Sequence, residues 1–256
     1  MNTNERKSPF RINRLVEILF FVSAAFLILA VYAFYHPQKP DVVPSGGGET
    51  AAPSAEPSPE GTPLPAHLTD PDSIFVFVDK NHPVPQDFVP SDLVSPYFNS
   101  TGEIIQLKAE PAEHLKKMIA AASKDKVQLV VFCGYVSYQT QDEYFQDRAA
   151  MLGEAEAGKV IEKPGYSEHQ CGIAVDFSSN STSATTVAYA DTDAGKWLYE
   201  HAHEYGFILR YPKGKEQITG YSYMPWHYRY IGETYASMMY EISPDLSLEE
   251  FYDIKK

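Results

Sequence analysis

The chain has 256 residues, 44% of them hydrophobic, and a formal net charge of −13 at pH 7. An acidic balance of this size argues against a nucleic-acid partner, because phosphate binding needs a basic face. Two cysteines, Cys133 and Cys171, are too few for a disulfide scaffold or a cysteine zinc cluster.

The first organised feature in chain order is Ile18 to Tyr35, an uncharged apolar run of 18 residues. That length is near the lower limit for a helix that spans a bilayer. Arg6, Lys7, Arg11 and Arg14 precede the run and only Lys39 follows closely. The positive-inside bias therefore predicts a cytoplasmic segment 1–17, an anchor over 18–35 and everything later outside the cell membrane. The competing expectation is a cleaved signal peptide. Its apolar stretch would be shorter, about 7–15 residues, and would end at a small-residue cleavage site, which is not found here. Residues 36–69 hold prolines, Gly46-Gly47-Gly48 and scattered Ser, Glu and Ala without apolar periodicity. Such a stretch buries too little surface to offset its ordering entropy and predicts a flexible tether.

A single extracytoplasmic domain is expected over 70–256. "SIFVFVD" (73–79) has strand character, followed by a turn-rich "NHPVP". Pro111 opens a helix with Leu115, Met118, Ile119 and Ala122 on one face. "VQLVVF" (127–132) predicts a strand, and Ser137 predicts the cap of a helix running to about Ala157. "GIAVDF" (172–177) is another strand. Ala194, Trp197, Leu198, Ala202 and Tyr205 stripe a helix that stops at Gly206. "FILRY" (207–211) and "PWHYRYIG" (225–232) predict strands. Ser247 with Glu250 forms an S-x-x-E box for a last helix. Helices and strands mix without βαβ regularity, so the expected fold class is α+β, a mainly antiparallel sheet with packed helices.

Chemistry concentrates in "SEHQCGIAVDF" and "MPWHYRY". If the first stretch is a turn leading into a strand, His169 and Asp176 converge, and His227 arrives from a distant strand. Two imidazoles and a carboxylate make a three-ligand set for zinc with a fourth position open. Taken singly, each residue also has a plainer reading, a hydrogen-bonded histidine or an aspartate at a sheet edge.

"GYSEHQCGIAVDFS" together with "ITGYSYMPWHYRYIG" resembles the zinc D-alanyl-D-alanine carboxypeptidases of the vancomycin-resistance type, which are related to lysostaphin-type peptidases and hedgehog domains. The likeness extends through "FCGYVSYQTQDEY" and "YGFILRYPKGKEQITG", over roughly residues 74 to 242. It implies Zn²⁺ held by His169, Asp176 and His227, with Ser167 and Trp226 supporting the site and Gln141 touching substrate. The implied substrate is a peptidoglycan stem peptide.

Two positions depart from the family pattern. Where it has a glutamate that takes a proton from the attacking water, this chain has Met224, whose thioether exchanges no proton. Where it has an arginine that grips the terminal carboxylate, this chain has Val136. Glu168, beside His169 in an extended segment, is expected to point away from the metal, and Glu216 lies in a loop. Cys133 and Cys171 flank the two site segments. A cross-strand disulfide, two buried thiols and a thiolate near zinc all remain open. Lys213 and Lys215 lie in "RYPKGK", where they touch anionic wall polymer or are merely solvated. The pattern predicts a wall-associated zinc protein with reduced or lost peptidase activity, binding a stem peptide or a wall partner. The alternative is an active D,D- or L,D-carboxypeptidase, or an endopeptidase, trimming stem peptides.

Overall fold

The computed structural model describes residues 64–98, 102–178 and 185–254. The expected anchor at 18–35 and most of the expected tether lie outside these residues. Among the described residues no helix is long and apolar enough to cross a membrane. Leu64–Thr69, read from sequence as the end of the tether, instead packs on the domain: Leu68 is buried and its carbonyl accepts the Phe77 N–H at 2.8 Å.

The architecture is α+β, and every strand pair is antiparallel. Strands β1 (Leu93–Phe98) and β2 (Ile104–Lys108) form a two-stranded sheet that the sequence reading missed. The central sheet runs β3-β4-β6-β5, with β3 at Val130–Cys133, β4 at Ala174–Ser178, β5 at Phe207–Leu209 and β6 at His227–Tyr230. Helix α1 (Ala109–Lys124) follows β2 directly. Pro111 sits in its first turn, where a missing N–H costs nothing because that group has no intrahelical acceptor. Leu115, Met118 and Ala122 of α1 join Val131, Val175, Phe177 and Tyr228 of the sheet in the main core. Burying each large side chain contributes about 1.5–3 kcal/mol.

Helix α2 (Tyr138–Leu152) starts where Ser137 Oγ accepts the Thr140 N–H at 3.1 Å. The helix expected to reach Ala157 is broken at Gly153, and α3 (Glu154–Val160) follows in a new direction. The stripe from Ala194 to Tyr205 is α4 (Asp193–His201) continued as a 3₁₀ turn, and it ends at Gly206. Helices α5 (Glu216–Thr219), α6 (Glu233–Ile242) and α7 (Leu248–Phe251) complete the domain. The Ser247–Glu250 capping box forms as its spacing predicts.

The expected strand over 73–79 is not one. Its Val76, Phe77 and Val78 are buried, but only Asp79 makes an isolated bridge, to His82. The carbonyls of Ile74 and Val76 accept from the Arg229 guanidinium, at 2.9 and 2.7 Å, and that of Val78 from Arg210 at 3.3 Å. The apolar run correctly marked a buried segment. The backbone partners are side chains rather than a neighbouring strand, and a sequence pattern does not report that.

Candidate metal centre

The site is built on the two middle strands of the central sheet. In the β4–β6 pairing Asp176 stands directly opposite His227, so both side chains project from the same face. His169 lies in a 3₁₀ turn, Glu168–Cys171, that feeds β4. The turn ends at Gly172, with φ of 66°, and a Cβ there would press on Leu93 and the Lys108 backbone. This left-handed residue reverses the chain so that His169 swings back over β4.

The potential ligand atoms of His169, Asp176 and His227 all lie within 4.8 Å of one another. Asp176 Oδ1 is 2.8 Å from His227 Nδ1 and 3.4 Å from His169 Nε2. The opposite ring nitrogens differ in their surroundings. His169 Nδ1 donates to the Gly134 carbonyl at 2.7 Å, which leaves Nε2 free to ligate. His227 Nε2 is fully enclosed without a hydrogen-bond partner, with Glu168 Oε2 3.8 Å away, and its Nδ1 faces Asp176 inside the trio. His169 therefore has a backing acceptor that fixes its ligating tautomer, an arrangement metal-binding histidines use, while the Glu168 carboxylate lies behind His227 beyond hydrogen-bond reach. The donor set of two nitrogens and one carboxylate oxygen fits Zn²⁺ with an open fourth position.

Without metal, the three groups are strongly coupled. Burial alone would lower the His227 pKa, but the Asp176 charge, the hydrogen bond to Asp176 and the nearby Glu168 carboxylate outweigh it and raise it to about 10, so a metal ion must displace a proton there. Burial would raise Asp176, yet the two histidines hold it well below the usual carboxylate range. The trio thus draws positive charge to its centre. Cys133, opposite Asp176 in the β3–β4 register, is pushed well above the usual thiol range by burial and by the Asp176 charge. Among the described residues the cluster of potential ligands is His169, Asp176 and His227, and it includes neither cysteine. Cys133 and Cys171 are both free in the structure.

Glu168 does not enter the metal trio, but it opens a 3₁₀ turn rather than lying in the expected extended segment, and its Oε2 lies 3.8 Å behind the His227 ring. Its carboxylate is completely buried and receives Arg229 Nη1 at 2.5 Å and Arg210 Nε at 2.8 Å. Glu249 of α7 takes the remaining Arg210 nitrogens at 3.0 Å each. Sequence reasoning missed this network. One signal was there: in a strand, Arg229 shares the face of His227 two residues earlier.

Met224 is buried among Tyr211, Tyr221 and Trp226. Its N–H donates to the Tyr211 carbonyl at 3.2 Å, and its carbonyl accepts the His227 N–H at 3.1 Å. Tyr211 in turn packs on the His227 ring at 5.1 Å between centroids. Val136 is also buried, with its N–H on the His169 carbonyl at 3.2 Å. Gln141 is buried in α2 and its amide donates to the Glu162 carbonyl at 2.7 Å. Ser167 Oγ is enclosed without a hydrogen-bond partner. The Glu216 carboxylate accepts the Gly214 N–H in an exposed turn.

A family model described as VanY, D-alanyl-D-alanine carboxypeptidase, matches residues 104–233. The chain belongs to the D-alanyl-D-alanine carboxypeptidase family. The putative carboxypeptidase YodJ of Bacillus subtilis is 40% identical over 195 residues, covering 74% of this chain and 71% of that protein. Among solved structures, the LdcB LD-carboxypeptidase, studied for peptidoglycan recognition, is 40% identical at a TM-score of 0.66, covering 73% of this chain and 89% of that one. A mutant of the vancomycin-resistance D,D-pentapeptidase VanY in complex with Zn(II) is 32% identical at a TM-score of 0.57, covering 69% and 97%. Zinc dependence in this carboxypeptidase family thus accompanies a matching His-Asp-His cluster here.

The backing of His169 makes one test direct. A Cβ on Gly134 would clash with the Gln106 carbonyl and meet Ile105 at 2.9 Å. Gly134→Ala must therefore shift the carbonyl that orients His169. Zinc affinity is expected to fall about 10–100-fold, read by competition with a chromophoric chelator.

Proposed function

We propose that this chain is a membrane-anchored zinc protein of the cell wall that binds peptidoglycan stem peptides with reduced or lost peptidase activity. The observation that carries the reading is Met224. It occupies the position three residues before His227, enclosed by two tyrosines and a tryptophan. A bound zinc ion would polarise a carbonyl and lower the pKa of a water molecule. His169, Asp176 and His227 would hold it, but no proton acceptor stands at residue 224. Val136 offers no charge to a terminal carboxylate, where a guanidinium would make two parallel charge-assisted bonds. The apolar run at 18–35 with its preceding basic residues supports an uncleaved anchor and an extracytoplasmic domain at the end of a tether.

The alternative is an active D,D- or L,D-carboxypeptidase, or an endopeptidase, favoured by the intact ligand trio and the acceptor that orients His169. The two separate in one assay: D-Ala release from a stem pentapeptide by the purified, zinc-supplemented chain, beside His227→Ala. The proposal expects release within about tenfold of the His227→Ala background. Robust release that His227→Ala abolishes would reject it in favour of the active enzyme.

A further inference from the structure

A cavity of about 270 Å³ lies beside the edge strand β5, away from the metal trio. Leu209 of β5 and Tyr228 of β6, register partners, line its inner side. Tyr228 follows His227 in its strand, so it faces the opposite side of the sheet from that ligand. The outer walls come from four separate segments. Lys196, Tyr199 and Glu200 belong to α4, Lys213 to the turn after β5, Tyr223 to the approach to β6 and Asp245 to the turn after α6. Tyr199 Oη donates to Asp245 Oδ1 at 3.2 Å across 46 residues, which ties α4 to that last turn.

The sequence left Lys213 and Lys215 open between wall contact and solvent. Lys215 is already engaged, since its Nζ donates to Glu250 Oε1 at 2.7 Å. Lys196 and Lys213 are exposed, and neither ammonium group has a hydrogen-bond or ion-pair partner among the described residues. They share the cavity with the carboxylates of Glu200 and Asp245, so the formal charge there balances, in a chain of net charge −13. An anionic polymer gains little from a balanced site and meets the negative field of the whole chain.

An uncharged sugar ring fits the same groups better. Each of its hydroxyls both donates and accepts. The carboxylates take hydrogens from such hydroxyls, and the ammonium groups donate to their oxygens. The C–H face of the ring needs an apolar plane, which the partly exposed rings of Tyr199 and Tyr223 supply. Apolar surface with a few convergent polar groups is the usual make-up of a small-ligand site.

We propose that this cavity is a saccharide subsite that takes an uncharged sugar ring of a wall glycan strand. Tyr223 and Pro225 both line it, and Met224 between them packs in the cluster with Tyr211 and Tyr221, so one loop borders both sites. A glycan seated there would lie next to the site that the stem-peptide reading assigns to the peptide. The inference adds the glycan to that reading and stands on different residues.

The test titrates two probes into the zinc-loaded full-length chain, followed by ligand-observed NMR. One is N,N′-diacetylchitobiose, a neutral disaccharide, and the other is glycerol 3-phosphate, an anion without a ring. The disaccharide should bind. Lys213→Ala should weaken it about fivefold or more, the effect of one charge-assisted hydrogen bond at an exposed site. Tyr199→Ala should weaken it about fivefold through the lost ring face. Lys213 is exposed and unpartnered, so its variant should keep the thermal midpoint, the zinc affinity and the binding of a stem pentapeptide. Absence of disaccharide binding overturns the inference, and a pentapeptide that still binds leaves the stem-peptide reading standing. Disaccharide binding without pentapeptide binding does the reverse. Disaccharide affinity equal in both variants and the unaltered chain overturns the inference by placing the sugar elsewhere. Glycerol 3-phosphate binding that exceeds the disaccharide and is lost in Lys213→Ala overturns it in favour of an anionic polymer.

Discussion

Met224→Glu, combined with Val136→Arg, should raise D-Ala release from a stem pentapeptide by about 10²–10⁴-fold over the unaltered chain, the usual contribution of a positioned general base. The geometry explains why one residue carries so much. Residue 224 is tied by backbone hydrogen bonds to Tyr211 on one side and to the ligand His227 on the other. A side chain there is positioned by the same turn that delivers the metal ligand. Glutamate and methionine are close in length and volume, so the pocket between Tyr211 and Tyr221 accepts the exchange without a cavity. Burial there would raise the new carboxyl pKa toward neutrality, where an acid–base group works best.

Val136→Arg is the harder substitution. Val136 is buried, and overpacking such a site costs about 1–3 kcal/mol. The single Met224→Glu variant and a thermal melt of both variants therefore belong in the experiment. Release rising with Met224→Glu alone, and further with the clamp, would show that the scaffold kept its geometry and lost only its chemistry. A folded, zinc-loaded double variant no faster than the unaltered chain would mean that the missing base does not explain the low rate.

The parts of this molecule legible in the sequence are those set by local rules. Ser137 and Ser247 cap the helices their spacing announces. The β4 and β6 segments lie where apolar runs place them, with boundaries trimmed by a few residues. Metal-site geometry was legible in part, because a turn entering a strand brings His169 and Asp176 together, while His227 needed the strand order β3-β4-β6-β5 to arrive opposite Asp176. What stayed hidden depends on distant charges. Glu168 meets arginines 42 and 61 residues away, and the 73–79 segment gives its carbonyls to guanidinium groups more than 130 residues later. No periodicity encodes such pairs.

Glu168→Gln is expected to destabilise the metal-free protein by about 3–5 kcal/mol, the usual cost of removing one member of a buried, hydrogen-bonded ion network. Glu168 is the shared anion of two fully buried arginines. Glu249 still compensates Arg210 in the variant, whereas Arg229 keeps only backbone carbonyls. The same carboxylate sets the acid response. Burial would raise its pKa, but Arg229 and Arg210 overcome this and hold it far below its ordinary 4.5. A depressed folded pKa stabilises the fold fully above the unfolded value and loses that contribution as pH falls through the folded one. The unaltered chain should therefore lose stability steeply below about pH 4.5, and Glu168→Gln should start lower and show a flatter acid flank. Urea unfolding at neutral pH and an acid titration followed by circular dichroism, both with a chelator present, read these effects without the added stability that bound metal supplies. Restoring zinc then isolates the second consequence. With the negative charge 3.8 Å behind His227 gone, zinc affinity should drop about 10–100-fold. A variant that unfolds like the unaltered chain, with equal zinc affinity, would mean that this buried network neither holds the domain together nor orients its metal ligand.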